Sequence, residues 1–83
     1  MLKILYFASL RETLGRSTED FDLPSNVSDV GGLLRLLQAR GGVWATLGGM
    51  KNLRYAVNQE MANLENTLQA GDEVAFFPPV TGG

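Results

Sequence analysis

One amphipathic segment near the middle of the chain constrains the fold more than any other feature. Its four apolar residues recur at the spacing of a single helical face: Val30, Leu33, Leu34 and Leu37. Ser28 is the predicted N-cap of this helix, and Gly41 is the predicted stop. Gly31-Gly32 falls in the first turn, where each glycine is less favourable than alanine by about 1 kcal/mol of helix stability. The sequence therefore does not decide at which residue the helix begins. Such a helix must bury its apolar face against a second layer.

Short segments typical of β-strands lie on both sides of this helix. They are rich in β-branched and aromatic residues and cover residues 3–7, 18–23, 53–57, 61–62 and 73–77. At the first strand, Leu2, Ile4 and Tyr6 share one face, whereas Leu5 and Phe7 share the other. If the first and last strands lie side by side, the sheet has the β-grasp arrangement. We therefore predict an α+β fold in which a mixed sheet packs on one main helix.

Turn-forming residues separate these segments. Ser9 is the predicted cap of a short helical turn that runs through Leu14 and ends at Gly15. Further turns are predicted at 43–47, 58–60 and 71–72. Trp44, in the first of these, is assigned to the core. Because the chain has no repeats or linkers, we expect a single β-grasp domain over 1–83 with a flexible tail at 78–83.

The chain contains neither cysteine nor histidine. This composition excludes a disulfide framework, a thiolate nucleophile and a zinc site of the usual ligands, and it removes the commonest general base. A net charge of −2 gives no indication of the excess of basic residues that is typical of nucleic-acid-binding proteins. No stretch approaches the 18 or more apolar residues of a membrane span. We expect a cytoplasmic non-enzyme that binds neither nucleic acid nor membrane and holds no metal.

The C-terminal run Phe77-Pro78-Pro79-Val80-Thr81-Gly82-Gly83 has a composition unlike that of the strands. Two prolines cannot continue a sheet ladder and give the exit a stiff direction. The six residues from Pro78 onward could span roughly 20 Å when extended. A terminal carboxylate is a poor electrophile until it is activated, for example as an acyl-adenylate, and two glycines let the backbone enter a narrow channel. This chemistry leaves open a frayed end, sulfur transfer and protein conjugation.

Three segments resemble the small subunits of molybdopterin synthase, which are ubiquitin-like proteins. The run Gly71-Asp72-Glu73-Val74-Ala75-Phe76-Phe77 with the tail that follows it looks like the C-terminal signature of that family. Leu5-Tyr6-Phe7-Ala8, followed by Leu10-Arg11-Glu12 and Gly15, is similar to its opening. Ala56-Val57-Asn58-Gln59 is similar to its middle strand and turn.

The resemblance implies a β-grasp sulfur carrier that is not itself catalytic. An ATP-dependent activating enzyme would adenylate Gly83, and a sulfur donor would convert it to a thiocarboxylate, a 1-thioglycine. The tail residues Gly82, Thr81 and Val80 would then enter the active site of the large synthase subunit. There the sulfur would pass to cyclic pyranopterin monophosphate. The expected assembly is a heterotetramer of two small and two large subunits, and no cofactor is expected to bind this chain tightly.

A candidate partner interface accompanies the tail. It comprises Phe7, Arg11, Met61, Phe77, Pro78 and Pro79. Phe7 and Phe77 fall on the strand faces opposite the predicted core and are expected to form an exposed apolar patch for docking. The alternative is a small satellite core. Arg11 is expected to form an interface ion pair or to be solvated, and the acidic stretch Glu19, Asp20 and Asp22 is interpreted as a solvated strand face.

Two other functions share the Gly-Gly end. One is a sulfur carrier for thiamine or tungsten-cofactor synthesis, which the run from Phe76 to Thr81 disfavours. The other is a ubiquitin-like modifier joined through Gly83 to lysines of target proteins. Its chemistry begins with the same adenylate, so the sequence does not exclude dual use.

Overall fold

A computed structural model describes residues 1–50 and 53–78. Seven elements follow in the order β1 Leu2–Tyr6, α1 Ser9–Leu14, β2 Thr18–Phe21, α2 Val30–Gln38, β3 Arg54–Val57, β4 Glu60–Ala62 and β5 Glu73–Phe77. A 3₁₀ helix, Gly42–Gly49, lies between α2 and β3. The predicted tail positions Pro79, Val80, Thr81, Gly82 and Gly83 lie outside the described residues.

The five strands form one mixed sheet in the order β2-β1-β5-β3-β4. β1 and β5 lie side by side and parallel, which is the condition set above for the β-grasp arrangement. The pairs β1–β2, β3–β5 and β3–β4 are antiparallel. The predicted α+β class and the β-grasp fold are confirmed.

The core lies between one face of this sheet and α2. Ile4, Tyr6 and Phe76 are almost fully buried there, together with Leu33 and Leu37 of the helix. The alternation predicted along β1 is confirmed, since its odd-numbered residues Lys3 and Leu5 are less buried than their neighbours. The opposite face of the sheet is left for solvent or for another molecule.

The start of α2 differs from the prediction at its cap. Asp29 is the N-cap, and its carboxylate accepts a 2.7 Å hydrogen bond from the backbone N–H of Gly32. Ser28 lies one residue before the cap, because the extended residue directly before Val30 is Asp29, which forms a backbone bridge with Thr67. The predicted Ser28 cap is therefore wrong by one residue.

The two glycines in the first turn of α2 are explained by close packing. A Cβ on Gly32 would lie 2.7 Å from Cγ1 of Val27, and one on Gly31 would lie 3.2 Å from the carbonyl oxygen of Leu64. Both distances are shorter than ordinary carbon contacts of about 3.5–4.0 Å. The two glycines lower the helix propensity of α2, but they allow neighbouring chain segments to approach its first turn.

The short helix α1 also differs from the prediction at its cap. The N-cap is Ala8, in a positive-φ conformation of 52° and without a side-chain hydrogen bond, rather than Ser9. The predicted stop at Gly15 is confirmed: its φ of 78° is left-handed, and its N–H donates to the carbonyl of Arg11. In the ranges that the structure describes, no helix has the length and hydropathy needed to cross a bilayer.

Candidate functional site: the open sheet face and the base of the tail

The face of the sheet opposite α2 carries an apolar surface, which we call the open face. It is lined by Leu5, Phe7, Ala56, Gln59, Met61, Glu73, Ala75 and Phe77. Strand alternation places these residues there, because Val74 and Phe76 of β5 already point into the core. Phe7 is 39% exposed and Met61 is 65% exposed, which is unusual for large apolar side chains.

Two aromatic rings mark one side of the open face. Phe7 and Phe77 stack with their ring centroids 4.9 Å apart and their planes 9° from parallel. The parallel pairing of β1 and β5 brings them together, and the N–H of Phe7 donates to the carbonyl of Phe76. The sequence places both residues opposite the core, and the structure makes them one contiguous surface.

A groove of about 370 Å³ crosses the open face. Its floor contains Ala56 and Ala75, which are paired directly across β3 and β5. Phe7, Phe77 and Met61 stand higher around it, and the polar groups of Gln59 and Glu73 lie among its lining. Such a depression, mostly apolar with few polar groups, has the character of a binding surface.

The open face is continuous with the base of the tail. β5 ends at Phe77, and Pro78, the last residue described, is half-buried beside it. A molecule that covers Phe77 would therefore also contact the point where the tail begins. Pro78 thus directly follows Phe77 of the candidate interface, whereas Pro79 lies outside the described residues.

Arg11 occupies an exposed position in the last turn of α1. No ion pair involves it within residues 1–50 and 53–78. A guanidinium in this position is available to a partner carboxylate, so an interface role for Arg11 stays a prediction.

The interpretation of Glu19 as part of a solvated strand face is wrong. Glu19 pairs with Ile4 in the register of β1 and β2, so it points toward the core face, and its side chain is only 10% exposed. The hydroxyl of Tyr6 donates to it at 2.6 Å, and Arg40 donates two hydrogen bonds of 2.9 Å. Arg16 adds an ion pair at 3.3 Å. Asp20 and Asp22 are exposed, as predicted.

These contacts shift the pKa values of the network. Burial, with the hydrogen bond to Glu19, raises the pKa of the Tyr6 phenol. Burial alone would raise the pKa of the Glu19 carboxyl, but the hydrogen bonds from Arg40 and Tyr6 outweigh it and hold that pKa below its usual value. Arg40 also stacks over Trp44, with its guanidinium carbon 4.4 Å from the ring centroid. Trp44 packs against the core, and the network fixes the fold at a distance from the groove lining.

No group of three or more His, Cys, Asp or Glu capable of holding a metal ion occurs in the described part of the chain. The features that stand out among the described residues are the apolar open face and, at its edge, the end of β5 with Pro78.

A profile of the ThiS family matches residues 4–83. The chain belongs to the ThiS family. Among its relatives, the molybdopterin synthase sulfur carrier subunit of Escherichia coli (strain K12) is 40% identical over 83 residues, which is 100% of both chains. The resemblance found in the sequence to molybdopterin synthase small subunits is thereby confirmed.

Solved structures of similar proteins carry the same fold as this ThiS-family chain. The crystal structure of SAMP1, a small archaeal modifier protein, from Haloferax volcanii has a TM-score of 0.79 at 30% identity, covering 99% of this chain and 98% of that one. Subunits 1 and 2 of the molybdopterin-converting factor from Helicobacter pylori 26695 form a solved complex. A chain of it matches with a TM-score of 0.63 at 26% identity, covering 99% of this chain and 97% of that one.

Proposed function

We propose that this chain carries sulfur as a thiocarboxylate on Gly83 and delivers it inside the large subunit of molybdopterin synthase. The observation that carries the proposal is the continuity between the open face and the base of the tail at Phe77 and Pro78. A partner that docks on this face takes up the start of the tail at the same time. The relatives named as sulfur carrier subunits support this role.

Sulfur loading needs only the terminal carboxyl group of this chain. Adenylation joins the Gly83 carboxylate to the α-phosphate of ATP and releases pyrophosphate. A donor that supplies sulfur at the oxidation level of sulfide then attacks the acyl-adenylate, so that a carbon–sulfur bond replaces the bond to AMP, AMP leaves, and the thiocarboxylate remains. Because the chain has no cysteine and no histidine, the side chains that catalyse these steps belong to the activating enzyme and to the large subunit.

The open face is the proposed contact with the large subunit. Phe7, Met61 and Phe77 supply exposed apolar area, and burial of such area drives association. Pro78 and Pro79 would direct the tail away from the sheet, so that Val80, Thr81 and Gly82 lead Gly83 into the partner's active site. Arg11, on the exposed side of α1, would pair with a carboxylate of the partner.

The proposed assembly contains two carriers and two large subunits, and the carrier leaves it to be recharged by the activating enzyme. The complex of subunits 1 and 2 in Helicobacter pylori supports the first contact. We place this chemistry in the cytoplasm, since loading consumes ATP. The acceptor would be cyclic pyranopterin monophosphate, which receives two sulfur atoms in two transfers.

Single-turnover reconstitution tests the delivery step. Thiocarboxylated carrier is mixed with the large subunit and cyclic pyranopterin monophosphate, and the masses of the carrier and the pterin are followed together. We expect two thiocarboxylates to be lost for each dithiolene formed. Loss of sulfur without any sulfur in the pterin would contradict the proposal.

Conjugation to proteins is a second candidate, favoured by the likeness to the small archaeal modifier protein of Haloferax volcanii. The same acyl-adenylate would be attacked by a lysine amine, forming an isopeptide bond and releasing AMP. Digestion of cell lysate should then yield target peptides that carry the C-terminal glycines of this chain. If thiocarboxylate is the sole product in cells, conjugation is not a function of this protein.

A further inference from the structure

We infer that the groove on the open face is a receptor for one bulky apolar side chain of the large synthase subunit, presented beside a cationic residue. This inference rests on the proposed function and adds the chemistry of the contact. A flat apolar patch could contact a partner without a groove of this kind.

The shape of the groove follows from one row of residues across the sheet. Leu5, Ala75, Ala56 and Met61 are neighbours in register on four adjacent strands. The two inner residues of the row are alanines and the two outer residues have long side chains. The alanine methyl groups therefore leave a depression between the longer side chains. Ala56 is only 5% exposed and Ala75 only 7%, although both point away from the core, because the longer neighbours overhang them. A leucine at either position would fill the space.

The aromatic stack of Phe7 and Phe77 closes one side of this depression. An inserted side chain would contact aliphatic and aromatic carbon on several sides and displace water from a mostly apolar lining. Residues that enter such pockets commonly dominate the energetics of an interface. At about 370 Å³ the groove is at the lower end of the range of ligand pockets, roughly 300–1,000 Å³, so it has room for one bulky side chain.

The charge at the rim of the groove indicates which residue of the partner lies next to the inserted apolar side chain. Among the described residues, Glu73 is the one ionisable residue that lines the groove. Its position is fixed through the backbone, since its N–H donates to the side-chain oxygen of Asn58 at 3.0 Å. Lys3 is its neighbour in register on β1, yet in residues 1–50 and 53–78 no ion pair reaches Glu73. A lysine or arginine of the partner would complement this carboxylate.

The site of insertion also orients the tail. Phe77 lines the groove and is the last residue of β5, so a side chain seated beside it fixes the partner relative to the point where the tail departs. A partner held at this one point has a defined distance from its active site to Phe77, and the tail must span that distance. The groove thus adds orientation to the apolar contact.

Filling the groove tests the inference. Ala56→Leu adds an apolar side chain within the groove. The matched control Thr18→Leu adds the same side chain on the same side of the sheet, but on the edge strand β2 and outside the residues that line the open face. Binding of the full-length carrier to the large subunit is measured by calorimetry, and folding by thermal unfolding. We expect the Kd to rise about ten-fold or more for Ala56→Leu and to stay within about two-fold for Thr18→Leu.

Glu73→Gln is the second variant, because it leaves the groove open and its hydrogen-bonded backbone unchanged. We expect about three-fold weaker binding and a weaker dependence of the Kd on salt than in the wild type. Wild-type affinity for a folded Ala56→Leu, equal loss for Thr18→Leu, or unchanged affinity and salt dependence for Glu73→Gln would each overturn the inference. A wild-type carrier that does not bind the large subunit would instead contradict the proposed function.

Discussion

The hydroxyl of Tyr6 donates a 2.6 Å hydrogen bond to the carboxylate of Glu19, which joins a central strand of the sheet to its edge strand. Arg40, just beyond the C-terminal end of α2, donates two more bonds to the same carboxylate. One acidic group thus links β1, β2 and the helix layer. Tyr6 also stacks on Phe76 in the core, so the network belongs to the side of the sheet opposite the open face.

Glu19→Gln is expected to lower the free energy of unfolding at pH 7 by roughly 1–3 kcal/mol, because the charged partner of Arg40 is lost. Folding lowers the pKa of this carboxyl, so its contribution is present above the unfolded value of about 4.3 and is lost as the pH falls through the folded value. The difference between wild type and variant should therefore shrink in acid. Urea unfolding at pH 7 and in a series below pH 5 measures it.

Asp22→Asn provides the control, because Asp22 is exposed and has no hydrogen bond or ion pair in the described ranges. We expect its stability to stay within about 0.5 kcal/mol of the wild type at neutral pH. A difference between wild type and Glu19→Gln that stays constant from pH 7 to pH 3 would contradict the assigned role of the Glu19 charge.

The β3–β4 turn depends on Asn58. Its φ is 51°, its side-chain oxygen accepts from the N–H of Glu73, and its amide donates to Asp72 at 3.0 Å. Asn58→Ala should destabilise the fold by about 2 kcal/mol, because alanine loses both bonds and disfavours positive φ. Asn58→Gly removes only the bonds and should be less destabilising by about 1 kcal/mol, as denaturant unfolding would reveal. Equal losses would mean that the backbone conformation contributes little.

Gly32 is expected to resist replacement by a better helix former. Gly32→Ala gains about 1 kcal/mol of helix propensity but places a methyl group 2.7 Å from Val27, within reach of the capping carboxylate of Asp29. Overpacking of this kind costs about 1–3 kcal/mol, so we expect lower stability overall. Gly49→Ala is the matched control, since a Cβ there meets nothing within 4 Å. Higher stability of Gly32→Ala in thermal unfolding would contradict the packing argument.

Local patterns predicted most of the elements because each depends on neighbouring residues. The strand predicted at 73–77 has the observed bounds of β5, and the stop at Gly15 follows from local chemistry. The turn predicted at 58–60 occupies residues 58–59, since Glu60 already belongs to β4. Ser28 and Asp29 are both residue types that cap helices, and the choice of Asp29 accompanies its backbone bridge to Thr67, 38 positions away in the chain. No local signal reveals such a contact.

Part of the candidate site also follows from local patterns, whereas the rest depends on contacts between distant segments. Alternation along β1 and β5 was enough to place Phe7 and Phe77 opposite the core. The groove could not be predicted, because Ala56 and Ala75 are unremarkable until the strand order makes them neighbours. The burial of Glu19 could not be predicted, because its hydrogen-bond partner Arg40 is 21 residues away in the chain.

Phe77→Arg should weaken association with the large subunit at least ten-fold, because it places a charge in the middle of the apolar contact. The fold should lose only the stacking on Phe7, about 0.5–1.5 kcal/mol. Ser25→Arg, an exposed turn position, adds the same charge elsewhere and should bind like the wild type. Calorimetric titration together with circular dichroism checks both variants. An unfolded Phe77→Arg would assign this ring to the core instead.

Intact mass after loading tests the central proposal most directly. The chain is incubated with ATP, an activating enzyme and a sulfur donor, with a Gly83-deleted chain as the control. Replacement of one oxygen by sulfur on Gly83 predicts a gain of about 16 Da, a covalent change at the terminus alone. The deleted chain should gain nothing and should unfold at the same temperature. No gain on the full chain, under conditions that charge a known carrier, would contradict the account.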